Sequence, residues 1–190
     1  MRGRTTMLLF AFACGFALHG SGETKPVTVE FYEVSGTSAQ ELRKELDRLG
    51  PVDGDGVRHD GHTRWFINWT YQLEPDVDGC EVRSFETTLD ITMTLPRWKK
   101  SKTAPGRLVR RWEQYIAALR LHENGHRDIA LAAAEEIRRR FKGRRDADDC
   151  QSLAKALNRT AEIALGEYRR QEVVYDEQTQ HGRTQGAQFP

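Results

Sequence analysis

Between Leu108 and Ile137 the chain places Leu108, Trp112, Tyr115, Leu119, His122, His126, Ile129, Ala133 and Ile137 at steps of three or four. That period is helical, so the segment from about Arg107 reads as one long helix with a single inward stripe. A helix of that length runs roughly 45 Å and needs a partner layer along all of it. A second helix supplies one. It begins near Asp149, carries Leu153, Leu157, Ala161, Ala164 and Tyr168 on one face, and when continued brings Tyr175 onto the same face. Gly143 and the run Arg138, Arg139, Arg140, Lys142, Arg144 and Arg145 separate the two. The run reads as a solvated helix end, where cations complement the helix dipole.

The N-terminal half has the other period. Val27, Val29 and Phe31 alternate with polar residues, as do Trp65, Ile67, Trp69, Tyr71 and Leu73, and then Leu89, Ile91, Met93 and Leu95 up to Pro96. Three strands with one apolar face each follow from this. Between the first two, Ser38 and Glu41 form a capping box ahead of Leu42, Leu46 and Leu49, and Gly50-Pro51 stops that short helix. The stretch 53–61, rich in Gly and Asp, is a loop. The expected fold class is therefore α+β: an antiparallel sheet packed on two long helices.

Residues 1–22 follow a separate logic. Arg2 and Arg4 precede an apolar run from Met7 to Leu18, and Gly20, Ser21 and Gly22 follow. This is the pattern of a secretory signal peptide, too short to span a bilayer comfortably. It leaves 23–190 as a single domain, periplasmic or secreted, with no stable membrane insertion once the signal is removed; lipidation at Cys14 is the less favoured route. Lys and Arg number 29 against 28 Asp and Glu, a net charge of +1, so nothing global points to nucleic acid. The mature chain keeps only Cys80 and Cys150. An even pair in an exported chain reads as one disulfide, and closing a loop of about seventy residues contributes on the order of 4 kcal/mol.

The chemistry sits in His122-Glu123-Asn124-Gly125-His126, an H-E-x-x-H within the long helix. Histidines four apart share a helix face and can reach one metal ion, while the intervening Glu can act as general base on a water held by that metal. Zn2+ in a hydrolase takes three protein ligands, so one more is needed. Among the remaining residues, His181 follows the second helix closely. His59 and His62 fall in the loop before a strand and read as surface residues. Gly125 costs the helix about 1 kcal/mol relative to alanine and suggests a close approach by another element.

Tyr175-Asp176-Glu177-Gln178-Thr179-Gln180-His181-Gly182 resembles the Y-D-x-x-T-x-H-G signature of a bacterial exported family described as zinc-dependent proteases with no known substrate. The resemblance extends to Tyr32 through Gly36, Glu41-Leu42, Trp65, Trp69, Cys80, Leu95-Pro96, Trp98, Trp112 and the H-E-x-G-H form at 122–126. It implies a zincin-like metallopeptidase fold. It also implies His122 and His126 as zinc ligands, Glu123 as base, His181 as third ligand with Asp176 as the alternative, and Tyr175 as a hydrogen-bond donor to the oxyanion. The partner expected is a peptide or protein substrate, held in extended form along the edge of the third strand. Two other readings fit the same residues: a non-catalytic zinc-binding envelope protein, and a zinc amidase acting on cell-wall peptide.

Overall fold

The computed structural model describes residues 19–146 and 149–189. In chain order these form β1 (His19–Thr24), β2 (Thr28–Val34), α1 (Ala39–Leu49), β3 (His62–Asp76), β4 (Gly79–Trp98), α2 (Gly106–Phe141), β5 (Arg145–Asp146) and α3 (Cys150–Thr179), then a 3-10 turn at Arg183–Gln185. Residues 1–18, which carry most of the expected signal segment and Cys14, lie outside the described residues. The expected boundary after Gly22 falls within β1. Among the described residues no helix is long and apolar enough to cross a membrane.

Strand β4 organises the sheet. Along one edge it pairs antiparallel with β3, from Gly79 opposite Asp76 to Thr94 opposite His62. It also takes three short strands in succession: β5 at Cys80 and Glu81, antiparallel, then β1 at Ser84–Leu89 and β2 at Thr92–Trp98, both parallel. The five-stranded sheet is therefore mixed, not antiparallel as the alternation suggested. Alternation identifies which face of a strand is buried and is silent on its neighbour. Here the turn at 77–78 makes β3 and β4 a hairpin, while the α1 connection lets β2 cross over to the far side of β4 and run parallel to it. Because β4 is paired on both sides, it cannot offer the substrate-binding edge expected of the third strand. Among the described residues β3 has a partner on one edge only.

The strand also runs past Pro96, where the sequence suggested a stop. Beyond Thr94 the β3 neighbour has ended, so a residue lacking an N–H is tolerated there.

α1 forms as its cap implies. Ser38 Oγ accepts from the Glu41 amide at 3.2 Å, and Glu41 Oε2 accepts from the Thr37 amide at 2.7 Å, one residue before the position a capping box would use. α2 and α3 supply the second layer. Two apolar clusters result, one joining Leu89, Ile91, Ala133, Ile137, Phe141, Leu153 and Leu157, the other Leu42, Leu46, Leu95, Trp98, Trp112, Tyr115 and Phe189. On α2, Leu119 ends one cluster and Ala130 begins the other; His122, Glu123 and His126 occupy the buried stretch between. The Cys80–Cys150 disulfide is present, with Cα atoms 5.0 Å apart, and ties the start of β4 to the first residue of α3.

Candidate metal centre

Two helices build the site. His122 and His126 lie one turn apart on α2, with ring centroids 4.9 Å apart. α3 continues past Tyr175, the last residue its helical stripe reached in the sequence, through Asp176 to Thr179. The continuation places Glu172 and Asp176 one turn apart on the α3 face that meets α2. Asp176 Oδ1 lies 3.2 Å from Nε2 of His122 and 3.2 Å from Nε2 of His126. Among the described residues these three make the group able to hold a metal ion, with their donor atoms within 4.8 Å of one another. Asp176, rather than His181, is brought into it. His181 sits after the helix end with its side chain 64% exposed, and its Nδ1 is 3.6 Å from Asp176 Oδ1, at the rim of the group.

The far nitrogens of both rings are held. His126 Nδ1 faces Glu172 Oε1 at 3.3 Å, and His122 Nδ1 faces Gln185 Oε1 at 3.1 Å. Each ring is thereby oriented so that Nε2 points at Asp176, the arrangement by which outer partners fix a ligand's tautomer. Burial pulls the His126 pKa down, but its bonds to Asp176 and Glu172 outweigh this and push it up to about 10. Burial likewise opposes the charge on Asp176, yet the bonds to His122 and His126 hold its carboxyl well below the usual range. Two imidazole nitrogens, each on a ring whose other nitrogen is held, and a carboxylate oxygen suit Zn2+. Gln185 lies in the aperiodic tail, where nothing in the sequence signals it. Replacing Gln185 by Leu is expected to weaken zinc binding 10–100-fold with little change in melting temperature, as read by competition with a chelating dye.

Glu123 is 2% exposed. The Thr63 hydroxyl donates to its Oε2 at 2.7 Å, and Oε1 has no hydrogen-bond donor among the described residues. Burial pushes the carboxyl above its ordinary range, against the pull of Thr63 and the two histidines. Thr63 could have been found from the sequence, since it continues the inward parity of Trp65 and Ile67 by one more step.

Tyr175 does not face the cavity that Glu123 lines. Its ring stacks on His122 at 5.2 Å and 10°, and its hydroxyl donates to the His122 carbonyl at 3.1 Å. The oxyanion role expected of it is therefore not where its hydroxyl points. The ring instead explains Gly125: a Cβ there would lie 2.2 Å from Tyr175 Cζ. Gly125→Ala should displace Tyr175 and destabilise the fold by about 1–3 kcal/mol despite the better helix former. The double variant with Tyr175→Ala should show the two changes to be non-additive in a thermal-unfolding cycle. Gly182 is required similarly, with φ of 80° and a Cβ position 2.8 Å from His122 Cγ.

A cavity of about 590 Å³ opens in front of this group, lined by residues that include Glu123, Leu119, His59, His62, His181 and Phe189. His59 and His62, expected on the surface, are cavity residues. They are carried there by the 50–61 loop, which Asp60 anchors: Arg43 grips the Asp60 carboxylate through both Nη atoms, Tyr115 donates to Oδ2 at 2.7 Å and Tyr32 to the Asp60 carbonyl at 2.7 Å. Burial and the nearby Asp60 push both phenols' pKa values up, so they remain donors. Burial and the neighbouring His59 pull the His62 pKa down.

No curated protein and no solved structure matches the chain. A family's sequence profile does match it over residues 29–182, which include every residue of the candidate centre except Gln185, and the chain belongs to that family, DUF922, a bacterial family of unknown function.

Proposed function

We propose that the protein is a zincin-like, zinc-dependent peptidase acting outside the cytoplasm, with Glu123 as its general base. One observation carries this reading: two helices aim His122, His126 and Asp176 at one point beside a buried carboxylate, and that point borders an open cavity. His122, His126 and Asp176 would hold the ion, the cavity side remaining accessible. A structural zinc site is usually closed and rich in cysteine, and both cysteines of the described chain are in the disulfide.

When bound, zinc acts as a Lewis acid that polarises a carbonyl and acidifies water. Glu123 accepts a proton from the attacking water at Oε1 while Thr63 holds Oε2, then returns it to the leaving amine. Burial raises the proton affinity of the Glu123 carboxyl, which suits it as an acceptor for the proton of the attacking water. The one-sided edge of β3 starts at His62 and Thr63, beside Glu123, and could pair with an extended peptide through backbone hydrogen bonds. The disulfide is compatible with an exported protein.

The test is digestion of a proteome-derived peptide library, and in parallel of cell-wall fragments, by zinc-loaded protein. New peptide termini that disappear on chelation are expected. An intact library after prolonged incubation with protein of verified zinc content would overturn the reading, and cleavage of the cell-wall fragments alone would move it to an amidase.

A further inference from the structure

Five of the chain's six histidines line one cavity. Two are accounted for by the centre on α2 and α3. The other three come from distant parts of the chain: His59 and His62 from the loop leading into β3, and His181 from the turn after α3. They form an arc. The His59 ring lies 6.1 Å from that of His62 and 5.7 Å from that of His181. The arc ends at the first centre, because His181 Nδ1 is 3.6 Å from Asp176 Oδ1.

We propose that His59, His62 and His181 form a second divalent-cation site on the cavity rim, adjoining the first through Asp176. The spacing supports it. The His122 and His126 rings, whose Nε2 atoms already converge on Asp176, are 4.9 Å apart. The two pairs that share His59 are little wider than this, but the three rings do not bring their donor atoms within 4.8 Å of one another as the first group does, so a cation would bind as the side chains turn inward. His59 is oriented as a ligand would be: its Nε2 meets Asp53 Oδ2 at 2.8 Å, which leaves Nδ1 as the available donor and gives the ring an outer carboxylate. The ring nitrogens of His62 have no hydrogen-bond partner among the described residues, although the ring lines the cavity.

The backbone adds a further observation. Gln180 and His181 both adopt left-handed conformations, with φ of 50° and 52°. Two consecutive non-glycine residues there are sterically costly, and such strain tends to be kept where a side chain must be aimed. Its effect is to turn the chain at the end of α3, immediately after Thr179, so that His181 lines the cavity. Three imidazoles favour Zn2+, Ni2+ or Cu2+ over Mg2+ or Ca2+. Of the positive charges near the arc, that of Arg43 is answered by Asp60, whereas Arg58 donates only to the neutral Gly50 carbonyl and Arg183 stands on the rim. The second site is accordingly the weaker of the two. A cation there would stand beside the hydrolytic centre, placed to bind a substrate carbonyl or carboxylate oxygen.

Only the position of Asp176 ties this proposal to the peptidase reading, so the test does not depend on turnover. Full-length mature protein, stripped of metal, is titrated with Zn2+ by calorimetry and its zinc content measured after gel filtration. Two equivalents are expected, the second bound at least tenfold more weakly. His59→Ala with His62→Ala should abolish the weaker class and keep the tighter one, at an unchanged circular-dichroism spectrum. His122→Ala should remove the tighter class. One equivalent at saturation in the wild type, or two retained in the His59→Ala, His62→Ala variant, overturns the second site alone. Loss of the tighter class in His181→Ala also overturns it, by making His181 a ligand of the first ion. No zinc binding at all overturns both sites together.

Discussion

Glu123→Gln should keep its zinc and lose peptide hydrolysis by a factor of about 10²–10⁴, the range that a positioned general base contributes. Glu123 is not among the converging donor atoms, so the ion has no reason to leave. Gln keeps the shape of the side chain and an oxygen for the Thr63 hydroxyl, and it removes a buried ionisable group whose burial already opposes its charge. The melting temperature should therefore hold or rise. What disappears is the acceptor for the proton of the attacking water. The loss should fall on kcat, with KM little changed, because the interaction is made only in the transition state. Metal analysis beside steady-state kinetics checks both halves. Undiminished turnover in a variant of verified zinc content would remove Glu123 from the mechanism.

The largest expected effect on stability is that of the disulfide. Replacing Cys80 and Cys150 together by Ala opens a loop of 70 residues and should cost about 4 kcal/mol, chiefly through freedom regained by the unfolded chain. For a domain of this size that is a fall of roughly 8–16 °C in Tm. The position of the link makes so large an effect reasonable. Cys80 is buried at the start of β4, beside the two-residue β5, and Cys150 is the first residue of α3. The bond therefore holds the N-terminal end of the helix that carries Glu172 and Asp176. Thermal unfolding of the double variant under non-reducing conditions measures it. A drop of only a degree or two would mean that packing of Leu153 and Leu157 alone fixes α3.

Much of this was legible in the residues. The stripe on α2 holds at Leu108, Trp112, Tyr115, Leu119, His122, His126, Ala133 and Ile137, all buried, because a helix packed along its whole length must keep one period. Ile129 departs from it, and Ala130 takes the inward place. The α3 face holds at Leu153, Leu157, Ala161 and Ala164 for the same reason. Gly125 pointed to a close approach, and Tyr175 makes it.

What was not legible depends on contacts between distant segments. No alternation pattern says that β4 lies between β3 and the β5, β1 and β2 strands, since pairing is decided by connections and not by faces. The resemblance offers both His181 and Asp176 as third ligand, and only the path of α3, helical to Thr179, decides which of the two meets the histidines. The Asp60 anchor and the entry of His59 and His62 into the cavity come from a loop rich in Gly and Asp, where composition says only that the chain turns. Gln185 acts from a segment with no period at all.

The central claim is that α2 and α3 together hold a catalytic zinc ion, and the most direct measurement of it is a crystal structure of zinc-loaded protein with anomalous scattering at the zinc edge. The strongest peak is expected between Nε2 of His122, Nε2 of His126 and the carboxylate of Asp176, with its remaining side open toward Glu123 and the cavity. A peak coordinated by His181 in place of Asp176, or no peak between the two helices in zinc-saturated crystals, would contradict it.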